Sequence, residues 1–172
     1  MALDAMTLDF TIGLETPDLN DRIVELTDRA FGPGRFVKTA ERLREDSHVI
    51  QDLSFVAMQG ERLLGSVRMW PIFIHDFDAN TYEPLVFLGP IVVEEDQRGR
   101  GIGRHLIGAC VDAAFAKGLR AVLLVGSQSY FKPFGFDKAT NMTLPGPVDP
   151  NRLLIRYSQP DLAFAGQVVK VI

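Results

Sequence analysis

The sequence predicts a single α/β (α+β) domain over residues 1–172, and three observations carry that prediction. Residues 90–104, Pro-Ile-Val-Val-Glu-Glu-Asp-Gln-Arg-Gly-Arg-Gly-Ile-Gly-Arg, join a short apolar strand to a basic glycine-rich turn, after which a helical pattern begins. Residues 121–125, Ala-Val-Leu-Leu-Val, read as a second buried strand, ended by Gly126. A length of 172 residues suits one domain with a sizeable core, and 47% hydrophobic with 23% charged residues is an ordinary globular balance.

In chain order, Leu8–Leu14 alternates weakly and reads as a first strand. Residues 18–31 carry a helical stripe at Leu19, Ile23, Leu26 and Ala30, broken by Gly32-Pro33-Gly34. Thr39–Glu45 suits a short second helix. Leu53–Gln59 and Leu63–Ile74 are strands joined by a hairpin-like turn at Gly60-Glu61-Arg62, and the polar stretch His75–Glu83 reads as irregular. Leu85–Val93 is the strand that feeds the glycine turn. The helix Ile102–Lys117 follows, with Leu106, Ala109, Cys110 and Ala113 toward its buried face and Gly118 as its stop. After the strand at 121–125, Asn141–Pro150 is a proline-rich loop, and Leu153–Tyr157 and Gln167–Ile172 are closing strands. No internal repeat, low-complexity tract or linker divides the chain.

Composition narrows the function. Eighteen basic against 22 acidic residues leave a formal charge of −4, which argues against a non-specific nucleic-acid partner. No apolar run reaches the ~18 residues of a membrane span, and Met1–Phe10 lacks the basic end and apolar stretch of a signal peptide. Cys110 is the only cysteine, which excludes an internal disulfide and suits a reducing cytoplasm. No His/Cys/carboxylate spacing suggests a metal.

The basic turn is built for an anion. The first turn of a helix has N–H donors without internal partners, and its dipole favours negative charge. Gly99, Gly101 and Gly103 clear side chains from those donors, and Arg98, Arg100 and Arg104 add forked donors suited to phosphate. A P-loop is excluded, since no lysine lies in the turn and no Ser or Thr follows it. The dinucleotide fingerprint Gly-x-Gly-x-x-Gly fails in both frames, ending at Arg104 or at Leu106.

The frame that remains, Arg98-x-x-Gly101-x-Gly103, resembles the acyl-coenzyme A loop of the GCN5-related N-acetyltransferases, Arg/Gln-x-x-Gly-x-Gly/Ala. The segment Val125-Gly126-Ser127-Gln128-Ser129-Tyr130-Phe131 with Phe134-Gly135-Phe136 is similar to the second half of that fold, most closely its YhbS-type branch, whose substrates are largely unassigned. The resemblance covers roughly residues 8–140 and is most specific over 86–136. It implies a mixed, mostly antiparallel central sheet flanked by helices, with the strand before the loop splaying from its neighbour beyond residue 90. It implies acetyl-CoA as co-substrate, and direct acetyl transfer to the amine of a small molecule or peptide. The backbone of Ile91, Val92 and Val93 would bind the pantetheine amides, and an N–H near Val92 or Val93 would polarise the thioester carbonyl. Arg98, Gly99, Arg100, Gly101, Ile102, Gly103 and Arg104 would hold the diphosphate, and Phe131 would also contact the cofactor.

The proton-transfer groups are less marked. Many relatives place a tyrosine four residues before the Gly of Gly-Phe as general acid; here that residue is Phe131, and its neighbour Tyr130 is the candidate. Glu83, His75, Asp76 and Asp78 are candidate bases by their place beside the strand entering the site, with a solvated loop as the plainer reading. His105 is expected near the surface or the nucleotide, His48 has no role, and Cys110 reads as a buried structural thiol. For the acceptor pocket, Phe31 is assigned to the core, while Arg35, Phe36 and Trp70 stay open between pocket and core; an Arg35 facing the pocket would favour an acceptor with a carboxylate. Phe134 and Phe136 are expected in the core. The apolar end Val168–Ile172 offers an edge for a homodimer. Two other readings stand beside the transferase: a catalytically weak acyl-CoA-binding sensor, kept open by Phe131, and a nucleotide dehydrogenase, disfavoured by the failed glycine frame.

Overall fold

The computed structural model describes residues 9–171, without the side chains of residues 36 and 37. Leu8, Ile172 and the side chain of Phe36, all part of the expectations above, lie outside the described residues.

Nine strands form one sheet in which β1 (Thr11–Leu14), β2 (Phe55–Gln59), β3 (Arg62–Asp76), β4 (Thr81–Val93), β5 (Ala121–Val125), β8 (Leu153–Tyr157) and β6 (Asp137–Lys138) lie side by side. The second half of β3 also pairs with β9 (Gly166–Lys170), which in turn pairs with β7 (Met142–Thr143). Only β4 with β5 and β7 with β9 run parallel. The sheet is therefore mixed and mostly antiparallel.

Helices cover both faces. Helix α1 (Asn20–Phe31) buries Ile23 and Leu26 against Val56, Leu63 and Val92. Helix α3 (Ile102–Ala116) buries Ile102, Leu106, Ile107, Cys110, Val111 and Ala114 in the main core with Leu64, Val67, Met69 and Leu124. Full burial of such aliphatic side chains stabilises by about 1.5–3 kcal/mol each. The single-turn helices α2 (Thr39–Arg42) and α4 (Gln128–Phe131) flank the sheet at the ends of β4 and β5.

Two segments depart from expectation. His75–Glu83 is a hairpin: β3 continues to Asp76 and β4 begins at Thr81. Its register sets His75 opposite Tyr82 with rings stacked at 4.1 Å, and Asp76 Oδ1 accepts the N–H groups of Asp78 and Ala79 across the turn. Short polar residues serve here as turn chemistry within a ladder that exposes its tip. The chain's end is partly paired within the chain: β9 meets β3 along residues 167–170 but β7 only at Gly166 and Gln167, and the Val168 side chain is fully buried.

The feature that makes a site is a divergence. β4 bonds β5 only at Val86–Val122 and Phe87–Leu123. A register shift against β3 then brings Met69 opposite Leu88 but Val67 opposite Ile91, so β4 bulges at Gly89-Pro90 and runs on beside β3 alone.

Candidate active site

The glycine turn ends in a capping residue, Gly101, at φ +81°, the left-handed region that glycine occupies without strain. The Arg98 N–H already donates to Glu95 O at 3.4 Å, and the first bond of the helix is from His105 N–H to Gly101 O. Between them, the N–H groups of Gly99, Arg100, Gly101, Ile102, Gly103 and Arg104 find no acceptor among the described residues. That is a concave row of donors at the positive end of a 15-residue helix.

The row opens into a cleft of about 1030 Å³ between the diverging strands. Ile91, Val92, Val93, Arg98, Gly99, Gly101, Ile102, Gly103, Arg104 and Phe131, together with Tyr130, line it. Arg100 does not: its guanidinium pairs with Asp9 and Gln97 and lies over the Phe10 ring, leaving only its backbone toward the loop.

The open edge of β4 can be read residue by residue. The Glu94 N–H donates to Leu64 O at 2.8 Å, and antiparallel bonding alternates from there. Val92, opposite Ser66, therefore turns its N–H and C=O to β3, and its side chain is buried under α1. Ile91 and Val93 turn theirs to the side that β5 has left. Of the three strand residues expected to bind through the backbone, two have the groups free to do so, and Val92 contributes packing.

Tyr130 and Phe131 share the single turn of α4, their rings edge to face at 4.9 Å, yet they differ in burial. Phe131 is 7% exposed, packed on Phe136 in the main core, and Phe136 is buried as expected. Phe134 is only partly buried and lines the cleft. Tyr130 is 47% exposed and faces the cleft. Its hydroxyl lies 2.7 Å from where a Cβ on Gly103 would stand, so a side chain there would make the hydroxyl shift. Burial raises the Tyr130 pKa above its ordinary value of 10, so the hydroxyl keeps its proton at neutral pH.

The other candidate bases are elsewhere. Glu83 pairs with Arg120 at 2.6 Å, and His75, Asp76 and Asp78 belong to the hairpin tip; none lines the cleft. His105 is exposed, with its ring edge against Phe10, and His48 is exposed too. Cys110 is fully buried, its thiol pushed up to about 12 by desolvation and its S–H donated to Ile107 O, which makes it an inert packing group. Among the described residues no group of three or more His, Cys, Asp or Glu could hold a metal ion, and no helix is long and apolar enough to cross a membrane.

The far wall of the cleft comes from the end of α1 and from α2. Phe31, assigned to the core by its sequence, is 51% exposed and lines the opening, because the last turn of α1 overhangs the cleft rather than the sheet. Arg35 faces the cleft and holds Asp28 at 2.8 Å and Glu41 at 3.2 Å. Arg44, which the sequence did not single out, holds Glu41 at 2.7 Å. Trp70 is half-buried and donates its indole N–H to Gly89 O at 2.5 Å, bracing the bulge.

Comparison with known proteins agrees with this geometry. The model of the acetyltransferase (GNAT) family matches residues 20–136, more than half the chain. The chain belongs to the GNAT acetyltransferase family. It is 29% identical over 134 residues to the uncharacterized N-acetyltransferase YhbS of Escherichia coli, covering 77% of both chains. A tRNA-acetylating toxin of Mycobacterium tuberculosis is 32% identical over 80 residues, 42% of this chain and 44% of that protein. Among solved structures, E. coli YhbS in complex with CoA superposes with a TM-score of 0.80 at 24% identity, covering 96% of this chain and 91% of that one. A GNAT acetyltransferase of Brucella melitensis in complex with acetyl-CoA gives 0.69 at 24% identity, covering 94% and 96%. These neighbours share the fold described above.

Proposed function

We propose that this GNAT protein transfers the acetyl group of acetyl-CoA directly to the amine of a small molecule or peptide. One observation carries the reading: six consecutive backbone N–H groups without acceptors among the described residues stand at the head of α3, beside an unpaired strand edge, in one cleft. A diphosphate fits the first feature and an amide-bearing arm fits the second. The relatives named above as binding CoA and acetyl-CoA point to the same ligand.

When bound, acetyl-CoA supplies a thioester, whose carbonyl carbon is the electrophile and whose thiolate leaves. The chain's own residues then have separate tasks. The amides from Gly99 to Arg104 and the side chains of Arg98 and Arg104 hold the diphosphate, while Arg100 contributes its amide and otherwise secures the turn. The outward N–H groups of Ile91 and Val93 extend the sheet onto the ligand, and Val93 is placed to polarise the carbonyl. Phe131 supports the wall, and Tyr130, protonated at neutral pH, donates a proton to the departing sulfur. The chain's formal charge of −4 offers no broad basic surface for a polynucleotide. The lone buried thiol accords with a cytoplasmic setting.

The test has two readouts: release of free thiol from acetyl-CoA across a panel of amines, and heat protection by CoA alone. Thiol release with at least one amine supports the transferase. Protection without release would favour an acyl-CoA sensor, which the burial of Phe131 at the usual tyrosine position keeps in play. Absence of both would overturn the assignment.

A further inference from the structure

The cleft carries a charge that CoA binding at the loop does not use. Arg35, Lys38, Arg44, Arg98, Arg104 and Arg152 line it, against one carboxylate, Glu41, in a chain whose net charge is −4. Arg98 and Arg104 belong to the phosphate loop. Arg44 stands at the other side, against the bulge of β4. Its Nη2 lies 3.1 Å from where a Cβ on Gly89 would be, and its guanidinium carbon is 5.5 Å from the centre of the Phe87 ring.

Arg44 is incompletely matched. Its Nη1 donates to Glu41 at 2.7 Å, but Nε is buried and has no acceptor, and Nη2 has none among the described residues. Glu41 is shared with Arg35, which also holds Asp28, so Arg44 has only part of one carboxylate. A buried guanidinium with vacant forked donors, facing a cleft, is a site for a planar or tetrahedral anion. Desolvation lowers the Arg44 pKa below its ordinary value, consistent with a charge that its neighbours do not fully compensate.

We infer that the amine acceptor carries its own anionic group, a carboxylate or a phosphate, and that Arg44 binds it beside the β4 bulge. The inference rests on the acetyl-transfer reading, since it names the acceptor for that same cleft. Gly89 is two residues from Ile91 on the open edge, so an anion on Arg44 sets an amine a few bonds away next to the strand that holds the thioester. Lys38, on the same wall, and Arg152, on the β5 side, supply further attraction.

The test compares matched acceptors, tyramine with tyrosine and ethanolamine with O-phosphoethanolamine, in the wild type, Arg44→Met and Arg44→Lys. The wild type is expected to favour the anionic member of at least one pair by about tenfold or more in kcat/KM, as one charged hydrogen-bonded pair allows. Arg44→Met removes that preference through KM, and Arg44→Lys restores part of it, since charge remains but the fork is lost. The pair that shows the effect tells carboxylate from phosphate. A second measurement uses protein saturated with CoA, so that the loop is filled. Acetate or inorganic phosphate then raises Tm in the wild type but not in Arg44→Met. Equal preference in wild type and Arg44→Met, or an anion-induced rise that survives the substitution or never occurs, overturns the inference. Failure of CoA itself to protect the wild type counts instead against the cofactor assignment.

Discussion

Gly101→Val tests the phosphate loop at its narrowest point. Gly101 sits at φ +81°, and the space its new side chain would enter holds only the His105 ring edge at 3.9 Å, so the valine stays outside the core, within the run of amides proposed to hold the diphosphate. A β-branched residue in the left-handed region costs about 1–3 kcal/mol, which lowers Tm by roughly 2–12 °C for a domain of this size. That loss alone would not show that a ligand is excluded. Gly118→Val supplies the comparison: Gly118 has φ +89° with nothing within 4 Å, at the opposite end of α3 and away from the cleft.

Ligand protection separates the two. At a CoA concentration of about 100 Kd, binding stabilises by about 2.7 kcal/mol, a Tm rise of roughly 5–11 °C. Screening two amides from a diphosphate removes two charge-assisted bonds of about 1.5–3 kcal/mol each, and so weakens binding by about a hundredfold or more. At the same CoA concentration the rise then falls to about 1–2 °C. Differential scanning fluorimetry with and without CoA measures all three proteins. The expected pattern is lowered Tm in both variants, with the CoA-induced rise kept in Gly118→Val and nearly lost in Gly101→Val. A full CoA rise in Gly101→Val would refute the placement of the diphosphate on these amides.

Other outcomes follow from the same geometry. Tyr130→Phe should lower kcat by about 10²–10⁴; because burial raises the tyrosine's pKa above its ordinary value of 10, any alkaline fall in the wild-type rate caused by Tyr130 has its midpoint above pH 10 and is absent from the variant. Gly103→Ala should push the Tyr130 hydroxyl, 2.7 Å from the new Cβ, aside and cost less in the Tyr130→Phe background, which removes it; additive effects on Tm would disprove that contact. Arg68 holds Glu15 through two bonds of 3.0 and 3.1 Å, with the Glu15 side chain fully buried, so Glu15→Ala should cost about 3–5 kcal/mol by stranding the guanidinium, roughly 6–20 °C in Tm, measured by calorimetry. Since Glu41 is the only carboxylate lining the cleft among the described residues and is clamped by two arginines, kcat/KM should rise with pH around each amine's own pKa; a shared midpoint for amines of different basicity would reveal a side-chain base.

What could be read from the chain alone was what local chemistry dictates. The glycine turn, the strands on either side of the cleft and the helix stop at Gly118 each depend on a few adjacent residues, and they stand where the sequence placed them. The cleft's far wall did not show itself, because it is assembled from distant segments. Phe31 continues a helical stripe whose inner side meets core at Ile23 and Leu26 but open space one turn later. Arg44 lies just past a four-residue helix too short to show a period, and only the Glu41–Arg44 spacing hinted at a pair. The hairpin tip failed for a different reason: exposed polar residues such as His75, Asp76 and Tyr82 obscure a strand whose stability comes from its partner across the turn. Arg100 was misplaced because charge in a glycine turn says nothing about which way a side chain leaves it.

The absence of tyrosine at position 131 looks like a missing catalytic group only if the position, rather than the direction, is held fixed. In α4 successive residues leave the axis about 100° apart. The inward direction belongs to Phe131, which packs on Phe136 in the main core, and a hydroxyl there would need a buried partner. The outward direction belongs to Tyr130, which crosses the cleft to the first turn of α3. Its hydroxyl ends 2.7 Å from where a Cβ on Gly103 would stand, so a side chain there would push it aside. On the proposed mechanism Gly103 would have two duties, one amide for an anion and one space for the hydroxyl, and the loop and the proton donor would act as one unit. The departure at residue 131 would then be matched inside the loop motif, which would give this chain a reason to keep glycine, rather than the family's alternative alanine, at the motif's last position.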